Sequence, residues 1–178
     1  MKPHRPVILY IAMSLDGYIA QPNDDLSFLS LVEKEGEDYG YGELISQVDT
    51  VLMGRKTYDW VMGQVDEFPH ADKQTFILTR TARPAIENIT FYTGNLTDLV
   101  NQLKSTEGGS IFCDGGSEIV TELLLRDLID EIRLSIIPVL VGNGIRLFQD
   151  HRPFQNLKLI QTRTYESGLT QLHYIRTK

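Results

Sequence analysis

The chain has 178 residues, of which 42% are hydrophobic and 23% are charged, and its formal net charge at pH 7 is -7. These values are ordinary for a globular domain and exclude a disordered, collagen-like or coiled-coil chain. The acidic balance also argues against a nucleic-acid partner, because nucleic-acid binding needs a surplus of lysine and arginine on one face. We therefore expect one folded domain over residues 1–178.

Cysteine content and apolar runs limit the class of protein further. The single cysteine, Cys113, excludes an internal disulfide and a multi-cysteine zinc site, so no metal is expected. The first apolar run, 7–13, is too short to cross a membrane and lacks a leader cleavage site. No other run approaches the roughly 20 apolar residues of a membrane helix. We expect a soluble, cytoplasmic protein without a membrane partner.

The first two thirds of the chain alternate short β-branched runs with helix-like segments. This rhythm predicts βαβ units and a mainly parallel sheet with helices on its faces. The pattern predicts strands at 7–13, 50–53, 75–78, 89–92 and 110–113, and helices at 57–65, 96–104 and 117–125. The segment 33–47, rich in Glu, Gly and Tyr, predicts only a short helix around 43–47.

The last third of the chain changes character. A long β-branched run covers 131–141, and two further runs, 157–166 and 169–176, are separated only by Ser167 and Gly168. This spacing predicts a hairpin, and period-two alternation in both runs is typical of strands with one covered face. We expect an antiparallel edge that closes an otherwise parallel sheet.

Two strand ends run through glycine directly into a helix. Gly54 follows one predicted strand, and Gly115 and Gly116 follow another. On a parallel sheet both turns lie at the carboxyl edge, where helix amino termini offer N–H groups to an anion and glycine lets phosphate oxygens approach the backbone. Neither turn is a full dinucleotide fingerprint or a Walker loop, and glycine there also marks simple turns.

Basic residues accompany these turns. Arg55 and Lys56 stand at a helix start, where positive side chains are disfavoured unless an anion shares the site. Thr79 and Arg80 directly follow another strand and should project from the same edge. Hydroxyl and guanidinium groups suit a phosphate monoester, which favours the 2′-phosphate of NADP over NAD. Simple solvent exposure is the alternative for Arg80.

Several motifs in succession resemble one known superfamily. They lie at 12–20, 24–29, 52–58, 114–116, 128–131 and 138–144. Together they resemble the dihydrofolate-reductase-like superfamily, and most of all the reductase domain of the bifunctional riboflavin-biosynthesis deaminase/reductase and its stand-alone bacterial relatives. The resemblance implies an α/β fold with a mixed, mainly parallel sheet, helices on both faces and an antiparallel C-terminal hairpin.

The resemblance also implies a cofactor and its contacts. Members of the superfamily bind NADPH across the sheet edge. The matching positions are Ala12 and Ile19 near the nicotinamide, Gly54, Arg55, Lys56 and Thr57 at the phosphates, Thr79 and Arg80 at the adenosine ribose phosphate, and Gly115, Gly116 and Ser117 at the pyrophosphate. The zinc-dependent deaminase half needs two closely spaced cysteines, so one cysteine permits only the reductase half.

The substrate side is less defined by the residues. Reduction of a C=N or carbonyl group leaves a basic heteroatom, so a nearby acid or ordered water is helpful. Asp25 is the nearest match to the carboxylate that grips the pterin ring in folate reductases, with Asp24 as a substitute, and Asp16 should border the nicotinamide pocket. A helix cap for Asp25 and a turn for Asp16 are the structural alternatives. For a phosphorylated substrate, the candidate cations are Lys56, Arg146 and Arg152.

These observations predict an NADPH-dependent reductase of a small pyrimidine- or pteridine-like substrate, similar to 5-amino-6-(5-phosphoribosylamino)uracil reductase. Gln21-Pro22-Asn23 stands where folate reductases usually carry a Pro-Trp pair, which weakens a folate assignment. Dihydrofolate reductase and a non-catalytic NADPH- or ligand-binding protein are the alternatives. The resemblance implies a homodimer, and covering an exposed β-branched edge around 136–141 would favour one.

Overall fold

The computed structural model describes residues 5–177. The helices in this range are α1 (Tyr41–Ser46), α2 (Arg55–Met62), α3 (Leu96–Ser105) and α4 (Ser117–Leu125). The strands are β1 (Val7–Ser14), β2 (Tyr18–Ala20), β3 (Val48–Gly54), β4 (Gln74–Leu78), β5 (Ile89–Tyr92), β6 (Ser110–Cys113), β7 (Glu131–Ile137), β8 (Ile145–Arg146), β9 (Leu157–Thr164) and β10 (Thr170–Arg176).

Eight strands form one sheet in the order β5-β4-β3-β6-β1-β7-β10-β9, and β2 pairs with β8 in a second, two-stranded sheet. The six strands from β5 to β7 in this order are parallel. Strand β10 is antiparallel to both β7 and β9. The predicted mixed sheet with a C-terminal hairpin is therefore confirmed. The parallel strands bring six carboxyl ends to one edge.

The helices cover both faces of the sheet, because successive side chains of a strand point to opposite faces. Leu52 of β3 belongs to the core beneath α3 and α4. Its neighbours Val51 and Met53 belong to clusters that also contain Leu44 of α1 and Tyr58 of α2. Among the described residues, no helix is long and apolar enough to span a membrane.

Two predictions about the sheet edge are wrong. Strand β7 ends at Ile137 instead of continuing to 141, because Pro138 has no backbone N–H to donate. Since β7 lies between β1 and β10, it is not an edge strand. The edge strands of this sheet are β5 and β9. The eight residues of β9 are all exposed, so this strand lacks the covered face that its alternation predicted. Strands β2 and β8 are too short for any sequence period to reveal.

Candidate functional site

The two glycine turns meet at the carboxyl edge of the sheet. Strands β3 and β6 are neighbours, and the Gly54 N–H donates to the Gly115 carbonyl oxygen over 3.0 Å. The Gly116 N–H donates to Thr57 Oγ1 over 2.9 Å. Gly115 has a φ of +89°, a backbone conformation that favours glycine. The two predicted anion sites are therefore one continuous surface.

The two helices that leave this surface begin without side-chain caps. The N-cap residues are Gly54 for α2 and Gly116 for α4, and neither has a side chain that could accept from the first N–H groups of its helix. Helix α3, in contrast, is capped by Asn95, whose side chain accepts from the N–H groups of Thr97 and Asp98. The first N–H groups of a helix have no partner within the helix. Two free termini side by side fit an extended anion such as a diphosphate.

The predicted cations at the start of α2 lie at this edge and are paired with carboxylates. Arg55 forms an ion pair with Asp59 one turn later. Lys56 Nζ lies 2.7 Å from Oε1 of Glu118, in the first turn of α4. Because both members of the second pair are largely exposed, water screens their attraction and an incoming phosphate can compete for Lys56. The ion pair of Lys56 with Glu118 thus joins the first turn of α2 to the first turn of α4.

The cations beyond β4 form a second group. Arg80 is exposed and makes no hydrogen bond or ion pair with any described residue. Thr79 Oγ1 accepts from the Thr81 N–H over 3.1 Å. Arg83, which sequence reasoning missed, donates to Asp59 over 3.1 Å and lies over the Phe91 ring. Arg83 belongs to an irregular loop, where no spacing signal marks it.

The carboxylate of Asp16 is engaged in holding a loop. Its oxygens accept from the Ser14 hydroxyl over 2.6 Å and from the N–H groups of Val141 and Gly142 over 3.0 and 2.7 Å. These bonds, the Ser14 hydroxyl first among them, lower the pKa of Asp16 to about 2. Asp16 is therefore ionised at neutral pH. This geometry favours the turn-forming role over that of a proton donor.

Asp25 lies at the start of a short 3-10 helix, Ser27–Val32. One carboxylate oxygen accepts from the Ser27 N–H over 2.8 Å, and the other accepts from Gln21 Nε2 over 3.0 Å. The side chain is exposed. These contacts favour a local structural role for Asp25, although the N-cap position of the 3-10 helix is Leu26.

A cavity of about 660 Å³ opens beside Ala12. It is bounded by β1, β7, the 3-10 helix and the segment 33–41, and its wall includes Tyr10, Ala12, Leu29, Tyr39, Tyr41, Ser135 and Ile137. Neither Asp16 nor Asp25 is among the lining residues. Ile19, the other predicted nicotinamide neighbour, packs against the core on the α3 and α4 side. The cavity has the size of a small-molecule site.

A carboxylate that sequence reasoning treated only as part of a turn, Asp114, directly follows β6 and precedes Gly115 of the glycine surface. Oδ2 of Asp114 is 3.3 Å from Nε2 of His70, a buried residue of the loop before β4. The His70 ring packs edge-on against Phe112. Burial first, and the charge of Asp114 second, raise the pKa of the cavity residue Tyr41 to about 12. His70 and Asp114 are 44 positions apart, so no local motif joins them.

Residues 5–171 match the model of the RibD C-terminal domain. The chain belongs to this family. It is 36% identical over 173 residues to the uncharacterized protein YwjB of Bacillus subtilis (strain 168), a match that covers 97% of this chain and 98% of YwjB. The family assignment agrees with the predicted resemblance to riboflavin-type reductases.

Solved structures support the same conclusion. A Shewanella sp. PV-4 protein named for riboflavin biosynthesis superposes with a TM-score of 0.88 at 30% identity, over 97% of this chain and 99% of that one. Dihydrofolate reductase from Enterococcus faecalis, in complex with NADP(H), superposes with a TM-score of 0.67 at 15% identity, over 97% of each chain. The predicted dihydrofolate-reductase-like fold is confirmed.

Proposed function

We propose that this protein is an NADPH-dependent reductase that acts on a small pyrimidine- or pteridine-like compound. Membership in a reductase family supports an oxidoreductase. The observation that carries the proposal is the joined Gly54 and Gly115 surface with two uncapped helices, next to a cavity of about 660 Å³ at Ala12. The complex of the Enterococcus enzyme with NADP(H) supports the choice of cofactor.

The residues at the sheet edge fit this cofactor. The backbone N–H groups that begin α2 (Arg55, Lys56 and Thr57) and α4 (from Ser117) would hold the diphosphate, with Gly54 and Gly116 keeping the approach open. Thr79, Arg80 and Arg83 would hold the 2′-phosphate, and Ala12 would lie beside the nicotinamide. When bound, NADPH supplies a hydride to the acceptor carbon.

Asp114 is the candidate for directing a proton to the reduced group. Asp114 is not itself a lining residue, but its charge acts on the lining residue Tyr41 and its side chain is 29% exposed. Asp16 and Asp25, in contrast, are held by hydrogen bonds within their own loops. His70 would orient the carboxylate through their hydrogen bond. An acid placed in this way typically contributes about 10² to 10⁴ in rate.

We also propose a homodimer that pairs the β9 edges of two copies. Leu157, Leu159 and Ile160 of β9 are 43% to 50% exposed, and the unpaired backbone of an edge strand is a ready template for another strand. Pairing two copies in this way would cover the β9 edge of each copy.

The cofactor proposal is tested by titrating the protein with NADPH and NADH and following nicotinamide fluorescence. Charged hydrogen bonds contribute about 1.5–3 kcal/mol, so NADPH should bind at least about tenfold more tightly. Arg80→Ala should remove much of this preference. The matched variant Arg126→Ala, at the far end of α4, should keep it. Equal or undetectable binding of both nucleotides by the wild type would contradict the proposal.

Turnover is tested in the same preparation. The oxidation of NADPH is followed in the presence of each member of a panel of pteridines, pyrimidines, quinones and carbonyl compounds. Consumption that depends on one ring class would support a reductase. Tight NADPH binding without consumption across the panel would favour the non-catalytic alternative.

A further inference from the structure

We propose that the cavity beside Ala12 accepts a neutral or cationic ring compound and rejects substrates that carry a phosphate or carboxylate tail. This inference rests on the proposed function and narrows its substrate class. It separates this chain from an enzyme that acts on a phosphoribosyl compound or on a folate, both of which carry anionic tails.

The inner wall of the cavity is built for an uncharged ring. Tyr10, Tyr41 and Leu29 supply aromatic and aliphatic surface, which packs well against a flat heterocycle. The Tyr10 hydroxyl is already used, because it donates to the Tyr39 carbonyl oxygen over 3.0 Å. Burial raises the pKa of both Tyr10 and Tyr41 to about 12, so these phenols are neutral at physiological pH.

The outer rim of the cavity is strongly negative. Four carboxylates line it, those of Glu33, Glu35, Glu37 and Asp38. Backbone hydrogen bonds from Gly40 and Gly42 lower the pKa of Asp38 and keep it ionised. Lys34 is the one cation among the lining residues, and its ammonium forms an ion pair with Glu166. The rim therefore has no free cation to receive an anionic tail.

The cations predicted for a phosphorylated substrate lie elsewhere. Lys56 is paired with Glu118, while Arg146 lies over the Tyr18 ring at 4.9 Å and Arg152 over the Phe148 ring at 5.1 Å. None of the three lines the cavity.

Two further arginines approach the region without lining the cavity. Nη1 of Arg163 on β9 lies 3.7 Å from where a Cβ of Gly40 would be, and Arg133 of β7 pairs with Glu131; neither arginine is among the lining residues. A phosphate dianion at the rim would thus face carboxylates instead of a guanidinium fork.

The inference is tested with pairs of compounds that share one ring and differ only in the tail. Suitable pairs are dihydrobiopterin with dihydrofolate, and 5-amino-6-ribosylaminouracil with its 5′-phosphate. At low ionic strength the neutral member should have a KM at least about tenfold lower, because several rim charges act on the tail across about 10 Å of water. Added salt should reduce this difference, since it screens the repulsion.

Charge reversal at the rim gives a second measurement. Glu35→Lys should lower the KM of the anionic member about fivefold relative to that of the neutral member at low salt. Glu107→Lys is the matched control, because Glu107 is also exposed and precedes β6 at the opposite edge of the sheet. This control should change neither KM.

The outcomes separate the inference from the proposed function. NADPH affinity is measured first, without any ring compound, and its absence would overturn the proposed function. With NADPH bound, equal or better use of the anionic members, or no effect of Glu35→Lys on them, would overturn the inference alone. If no member of either pair binds or reacts, the cavity does not accept such rings and the inference is also overturned. Preference for the neutral members that is lost with salt would support it.

Discussion

Replacing Gly54 by alanine tests the contact between the two helix termini. A Cβ at this position would lie 3.0 Å from Cγ1 of Ile119, in the first turn of α4. The side chain of Ile119 can move by a few tenths of an ångström, so the fold should survive. Alanine is also a poorer N-cap than glycine, which costs about 1 kcal/mol. Replacing glycine also reduces the conformational entropy of the unfolded chain, which favours the folded state and offsets about half of this cost.

We therefore expect Gly54→Ala to lower the free energy of unfolding by about 0.5 kcal/mol, equivalent to a Tm decrease of about 1–2 °C for a domain of this size. The effect on NADPH should be larger. The new methyl group lies between the two termini, so loss of one charged hydrogen bond would weaken binding by about 1.5–3 kcal/mol, or at least about tenfold in Kd.

Thermal unfolding with and without NADPH measures both effects, because a ligand that binds the folded state raises Tm. Gly63→Ala is the matched control, since Gly63 ends the same helix and its Cβ would lie 3.3 Å from the Trp60 carbonyl oxygen. That variant should lose similar stability and keep its NADPH affinity. If Gly54→Ala binds NADPH as tightly as the wild type, the diphosphate does not lie between these helices.

Three further predictions address the acids and the assembly. Asp114→Asn should lower kcat about 100-fold with an unchanged Kd for NADPH, and loss of activity in Asp25→Asn instead would overturn that assignment. The pKa of Asp16 is lowered from 3.8 to about 2, so its contribution to stability is present above pH 4 and is lost as the pH falls towards 2. Between pH 4 and pH 2, the Tm of the wild type should therefore fall more steeply than the Tm of Asp16→Asn. Parallel curves of Tm against pH would contradict the prediction. Leu159→Lys on β9 should convert dimers to monomers in light scattering. The same change at Leu125, which is similarly exposed but lies on α4, should not, and a wild-type monomer would refute the dimer.

Local signals in the sequence predict most of the secondary structure. Helix α4 and strand β5 occupy the predicted ranges 117–125 and 89–92, because apolar periodicity and turn residues set their ends. The end of β7 differs because Pro138 stops the ladder before the β-branched run ends. Strand order depends on contacts between distant segments, and the error in locating the edge strand arose there.

The candidate site likewise combines local features that the sequence reveals with long-range contacts that it does not. The glycine turns are visible in the sequence because a strand, a glycine and a helix follow one another directly. The ion pair of Lys56 with Glu118 and the contact of His70 with Asp114 join residues 62 and 44 positions apart. The first contact arises because parallel strands bring their carboxyl ends together, and the second arises because the loop before β4 reaches the residue that follows β6. Sequence spacing reveals neither of them.

The most direct test of the account is a crystal structure of the protein with NADP⁺. We predict the diphosphate against the backbone N–H groups that begin α2 and α4, with Lys56 released from Glu118 and the nicotinamide beside Ala12. A nucleotide bound elsewhere, or these N–H groups covered by the protein's own side chains, would contradict the account.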